Sequence, residues 1–149
     1  MNNQSPVELF YKLIEDKRKA ELLAIKEHKT IKRRGRPRKN KLYFTQDTEN
    51  AIIAYNNEES DFLRNKVFNE YIHHPLFKMT ESLIHRYKFY HFDGPTQDIQ
   101  YEVIAFILEK LPKYTQDKGK AFSYFSIVAK NYLIQNNYKH YNRKKSKAP

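Results

Sequence analysis

Residues Asp98 to Tyr138 read DIQYEVIAFILEKLPKYTQDKGKAFSYFSIVAKNYLIQNNY. Two helices can be drawn in this stretch. In the first, Ile99, Val103, Phe106, Ile107 and Lys110 recur at helical spacing, with Thr96 placed to cap it and Pro112 near its end. Asp98 and Glu102 stand four apart and so share a different face. A connection from Tyr114 to Gly119 follows. The second helix is expected from about Phe122 to Tyr138 and opens in a burst of aromatics. Phe122, Phe125, Ala129, Tyr132, Leu133 and Asn136 line one side of it, and Tyr124, Ile127, Lys130, Asn131 and Gln135 line others.

Upstream, the same period recurs. Ser5-Pro6-Val7-Glu8 has the form of a capped helix start, with Glu8 three residues after the capping serine. Val7, Phe10, Tyr11, Ile14, Leu22 and Ile25 continue a narrow apolar stripe to about Lys29. That helix either packs on its own domain, which is the plainer account, or serves a partner. From Lys29 to Lys41, KTIKRRGRPRKNK carries eight basic residues and no acid, so it cannot pack a core and reads as a linker or arm. Thr45 can cap a helix holding Ile52, Ile53 and Tyr55, interrupted at Asn56-Asn57. Leu63, Val67, Phe68, Tyr71 and Ile72 form a second stripe. Pro75 disfavours helix at His74, which predicts a break there. Leu76, Leu83, Ile84, Tyr87 and Tyr90 make a third stripe, ending before Asp93-Gly94-Pro95. The expectation is an all-α chain: an N-terminal helix (1–29), a basic linker (30–42), a compact helical bundle (43–138), and a basic tail (139–149) that frays.

Composition narrows the function. Lys and Arg number 28 against 17 acids in 149 residues, a net charge of +11, which favours a polyanionic partner such as nucleic acid. The absence of cysteine excludes disulfides, thiol nucleophiles and cysteine-type zinc sites and agrees with a reducing cytoplasm. No apolar run approaches the roughly 20 residues of a membrane span, and MNNQS does not read as a signal peptide. A membrane-surface helix at 6–29 is disfavoured by the charges within its stripe. No enzyme is expected, since neither a Gly-rich phosphate loop nor a Ser/His/Asp order is visible. His73-His74, His85 and His91 lack a second ligand cluster at a recognised spacing, so no metal or other cofactor is expected.

Two surfaces carry chemistry. Acids in the first turn of a helix commonly do no more than complement its dipole, and spacing alone gives Asp98 no further role. The aromatic helix says more. Lys118 and Lys120 precede it, and Phe122, Tyr124, Phe125, Lys130, Asn131, Tyr132 and Gln135 lie along it. Stacking rings, amides and lysines together suit single-stranded bases, although Phe122 and Phe125 could equally be core. In the arm, Arg34-Gly35-Arg36-Pro37-Arg38 resembles the AT-hook core, whose extended backbone lays arginines along a narrow A·T minor groove. A generic phosphate-binding tether is the equal alternative.

The order of these motifs resembles region 2 of the sigma-70 family of bacterial RNA polymerase specificity factors. That family shows, roughly, D-L-I-Q-E, a helix, F-D-P-x-x-G, then F-S-T-Y-A. Asp98-Ile99-Gln100-Tyr101-Glu102, Tyr114 to Gly119, and Phe122-Ser123-Tyr124-Phe125-Ser126 match these in register, and Ile84-His85-Arg86-Tyr87 is similar to the preceding helix. The resemblance spans Leu83 to Tyr138. Within the family, the small size and basic layout look most like the late-gene sigma factors of T4-like phages, which lack the domain that reads the −35 element.

The resemblance implies a helical bundle like sigma-70 domain 2 and a minimal sigma factor acting in the cytoplasm of a bacterial host. It would dock on the β′ coiled coil of core polymerase through Asp98, Ile99, Tyr101 and Glu102, where Tyr101 replaces the family's glutamine. It would then hold and melt an AT-rich −10-like promoter element. Phe125 matches the ring on which a flipped adenine stacks, with Phe122 one turn earlier as pocket or core. Tyr132 and Gln135 match positions that read upstream bases. Val128 and Ala129 replace the tryptophan pair at the bubble's upstream edge, leaving Tyr124 or Tyr132 to supply a wedge. A phage co-activator and a sliding clamp are further partners the resemblance suggests, although the hydrophobic-acidic tail used for the clamp has no counterpart in KSKAP. The alternative is an AT-hook-containing DNA-binding accessory protein that acts without polymerase.

Overall fold

The computed structural model describes residues 4–27, 43–92 and 94–147. The Arg34–Arg38 hook lies outside them. Six α-helices follow one another, with no strand among the described residues: α1 (Pro6–Glu27), α2 (Gln46–Asn57), α3 (Asp61–Val67), α4 (His73–Tyr87), α5 (Thr96–Lys110) and α6 (Ala121–Lys147). The all-α expectation holds.

Helix α1 starts as the Ser-x-x-Glu spacing predicts. Ser5 Oγ accepts from the Glu8 amide and Glu8 Oε2 accepts from the Ser5 amide, each at 3.3 Å. Glu58, buried at the end of α2, accepts from the Val7 amide at 3.4 Å. Val7, Phe10 and Ile14 are buried where α1 meets α2 and α3, whereas every residue from Glu15 to Glu27 is exposed. The first half of the helix therefore packs on its own domain and the second half projects.

Pro75 does not break the chain. Helix runs on from α3 through a five-residue π-helical turn, Phe68–Ile72, directly into α4, with Pro75 as its third residue. In an unbroken α-helix the Pro75 ring would press on the Tyr71 carbonyl and offer it no N–H. The wider turn meets that demand, and the His73 amide reaches back five residues to the Phe68 carbonyl. Helix α4 ends at Lys88, which adopts the left-handed conformation (φ 55°, ψ 50°). Tyr90, expected in the α4 stripe, lies past the helix end and is exposed.

Two further boundaries differ from expectation. Pro95, not Thr96, occupies the cap position of α5, a one-residue shift. Helix α6 does not stop near Tyr138 but continues through the expected tail to Lys147, 27 residues in all. No Gly or Pro interrupts Lys139–Lys147, and its lysines and arginine are good helix formers that suit the negative end of the helix dipole.

The core lies where α4, α5 and α6 meet and extends towards α2. Ile99, Val103, Ile104 and Ile107 from α5 face Phe125, Ala129 and Leu133 from α6, with Ile72, Leu76, Met79 and Ile84 alongside. Gln100, also buried, donates from Nε2 to the Phe77 carbonyl at 3.0 Å and so ties α5 to α4. This packing fixes which faces of α5 and α6 remain free.

Candidate nucleic-acid and partner interface

Helix α5 buries one face and leaves Asp98, Tyr101, Glu102, Ala105, Leu108 and Glu109 on the other. Each of these positions has another three or four residues away along the helix, so they form a single stripe. Tyr101 is 53% exposed and Leu108 38%. Among the described residues, none of Asp98, Glu102 and Glu109 forms a salt bridge, although bases outnumber acids in the chain. Tyr101 leans on Phe77 at 5.4 Å and on His73 at 6.1 Å, so its ring is held from below. Ile99 is a correction. At 5% exposure it belongs to the core and offers a partner no surface.

The start of α6 is anchored from a distance. The Ala121 amide donates to Glu49 Oε1 of α2 at 2.9 Å. The buried Tyr114 hydroxyl lies 2.7 Å from the Gly119 carbonyl and 3.2 Å from the same Glu49 oxygen. Burial first, and Glu49 next, push the Tyr114 hydroxyl above the usual tyrosine range, so it stays a donor. Gly119 has φ 100° and ψ −169°, a conformation essentially restricted to glycine. In the same connection, a hydrogen bond from the Thr115 hydroxyl and the backbone N–H of Asp117 hold that carboxyl below its ordinary value.

The two phenylalanines at this start differ. Phe125 has no exposed surface and sits against Tyr114 (5.5 Å) and Tyr124 (5.0 Å). The expectation that Phe125 presents its ring to a flipped base is therefore corrected, because both of its faces lie inside the protein. Phe122, 41% exposed, is the ring at the surface, with Phe44 at 5.3 Å and Tyr43 at 6.3 Å behind it.

Beside Phe122 a groove of about 280 Å³ opens between α4 and α6, lined among others by Tyr43, Leu83, Arg86, Tyr87, Phe122 and Lys130. Lys130 Nζ stands 4.2 Å from the centre of the Tyr87 ring and Arg86 5.6 Å from it. Ser82 and Ser126 also line it, the Ser126 hydroxyl donating to Met79 Sδ at 3.3 Å. Aromatic rings and two cations thus converge. Of this set the sequence assigned only Phe122 and Lys130 to DNA binding; Tyr87 stood there in an apolar stripe, and Arg86 and Tyr87 together in the family-like preceding helix. The pair Arg86-Tyr87 repeats the basic-aromatic signal of α6, and applying the same test to α4 would have found it.

The remaining expected residues are dispersed. Lys118 Nζ donates to the Lys113 carbonyl at 2.6 Å and lies 5.7 Å from the centre of the half-buried Tyr124 ring. Lys120 is exposed and its carbonyl accepts the Tyr124 amide. Asn131 and Gln135 are exposed on the outer side of α6. Tyr132 is half-buried and donates to Glu102; burial and that contact raise its hydroxyl well above the usual range. Ala129 is buried and Val128 partly so; Tyr124 and Tyr132 are both packed, so neither is a free wedge. No group of three His, Asp or Glu suited to a metal ion occurs among the described residues, and no helix among them is long and apolar enough to cross a membrane.

Comparison with protein-family models, with curated proteins and with solved structures finds no match to this chain. Its functional reading is carried by its own residues.

Proposed function

We propose that the chain is a minimal RNA polymerase sigma factor of the phage late-gene kind. It docks on core polymerase through α5 and holds AT-rich −10-like promoter DNA, as it unpairs, along the start of α6. The supporting observation is the pairing of unlike surfaces on adjacent helices. Three acids that form no ion pair among the described residues flank Tyr101 and Leu108 on α5, and a basic, ring-lined groove adjoins α6.

The stripe on α5 suits a basic amphipathic helix, which is the chemistry of the β′ coiled coil that the region 2 resemblance implies. Asp98, Glu102 and Glu109 meet its cations, while Tyr101 and Leu108 receive its apolar side chains. In the groove, Phe122 offers its exposed ring to an extruded base, and Arg86 and Lys130, held against the Tyr87 ring, attract the phosphates on either side. Extruding a base costs a few kcal/mol. Stacking on an aromatic ring returns roughly 1–3 kcal/mol per base. One groove therefore balances melting only when polymerase contributes binding energy as well, so docking comes first.

Capture of purified core polymerase tests this reading. Wild type binds it, and the double reversal Asp98→Lys with Glu102→Lys abolishes capture while sparing nonspecific DNA binding. If wild type binds DNA but never polymerase, the protein acts as a DNA-binding accessory factor instead.

A further inference from the structure

Tyr132 leaves α6 on the flank turned towards α5, not towards the groove. Its ring lies 4.6 Å from that of Phe106, tilted by 32°, and Lys110 Nζ stands 5.2 Å from the Phe106 ring centre. Its hydroxyl donates to Glu102 Oε1. Lys130, which does line the groove, is only two residues earlier, yet at about 100° per residue that places it on the opposite flank of the helix. With Phe106 beside its ring and its hydroxyl bound, Tyr132 has little to offer a base.

What it does have is a hold on Glu102. A carboxylate accepts on both oxygens, and Glu102 Oε2 has no partner among the described residues. The side chain of an exposed glutamate ordinarily samples several rotamers, and ordering it on binding weakens the complex. Here the Tyr132 hydroxyl orders the carboxylate beforehand while one oxygen stays free.

We propose that Tyr132 is a positioning residue of the docking surface. It fixes Glu102 of α5 in readiness for a cationic side chain on a basic amphipathic helix, and it does not stack on DNA. The inference rests on the reading of α5 as the docking helix. It extends that surface from α5 alone to an edge shared with α6: Asp98, Tyr101, Glu102 and Leu108 in front, Phe106 and Tyr132 behind. It also means that one helix serves both sides of the activity, α6 facing DNA on the flank of Lys130 and supporting the polymerase contact on the flank of Tyr132.

Tyr132→Phe keeps the ring against Phe106 and removes only the hydroxyl. In the full chain it is expected to weaken binding to core RNA polymerase by about three- to tenfold, the range of one ordinary hydrogen bond, since the hydroxyl orders the carboxylate and does not itself touch the partner. Affinity for a fluorescent AT-rich single-stranded oligonucleotide stays unchanged. The loss disappears in a Glu102→Ala background, where the hydroxyl has no carboxylate to position, a result that a general packing defect would not give. Polymerase binding equal to wild type overturns the inference, and so does a loss confined to the oligonucleotide, which would make the Tyr132 hydroxyl a contact to DNA instead. If wild type itself fails to bind polymerase, the proposed function falls and the role of Tyr132 with it.

Discussion

At position 125 a phenylalanine ring is sealed among other rings, and three residues earlier another stands at the mouth of a groove. Phe125→Ala empties a fully buried site and is expected to cost about 3–5 kcal/mol in a denaturant titration. Phe122→Ala should cost about 1 kcal/mol or less in stability, since much of the ring is already in water. It should instead weaken binding to an AT-rich single strand by roughly 1–3 kcal/mol. A folded Phe125→Leu protein that loses as much DNA affinity as Phe122→Ala would reverse the assignment. The sequence could not separate these two rings. They fall on the same side of the helix, about 60° apart by the 3.6-residue period, and only the positions of α2 and α4 decide which is enclosed. The acids on α5 were legible for the opposite reason. Asp98 and Glu102 take their outward direction from the apolar residues of their own helix, so no distant element is needed to place them.

Helix existence was written locally and helix boundaries were not. Ser5, Thr45 and Ser60 each stand at a helix start, and the first of these follows from four consecutive residues. Pro75 misleads because its constraint can be met in two ways. The chain may stop, or it may widen by a π turn; the buried Ile72, Leu76 and Met79 on either side favour continuity. Lys139 to Lys147 mislead in a similar way, since basic composition is shared by frayed tails and by good helix ends. The connection before α6 allows a sharp test. No atom lies within 4 Å of where a Cβ would stand on Gly119, so Gly119→Ala meets only a backbone penalty. That penalty is about 1–3 kcal/mol, to be read as a lower urea midpoint with an unchanged slope. An alanine variant as stable as wild type would show that the connection can re-form without its left-handed residue.

On the scale of the whole molecule, charge and shape divide the work. The excess of 28 bases over 17 acids gives attraction at a distance for any polyanion, whereas the α5 stripe sets three exposed acids against that background. The Lys29–Lys41 arm joins the docked α1 to the bundle in sequence, and its eight basic residues were as plain from composition as the helices were from periodicity. Its part in binding can be weighed through salt. Arg36→Ala should weaken association with AT-rich duplex and flatten the plot of log affinity against log salt concentration by about one unit. An unchanged slope would remove the arm from phosphate contact.

Glu49 makes the start of α6 depend on a helix far away in the chain. The oxygen that receives the first amide of α6 is supplied 72 residues earlier, and the tyrosine sharing it lies 65 residues away. A local capping box can form as soon as its own turn does, but this cap must wait until the whole intervening chain has closed. The start of α6 is therefore registered by a residue of α2 and not by its own turn. The exposed ring of Phe122, one residue beyond that amide, takes its place from the same distant contact. A change at Glu49 would reach that ring without altering a single side chain of α6.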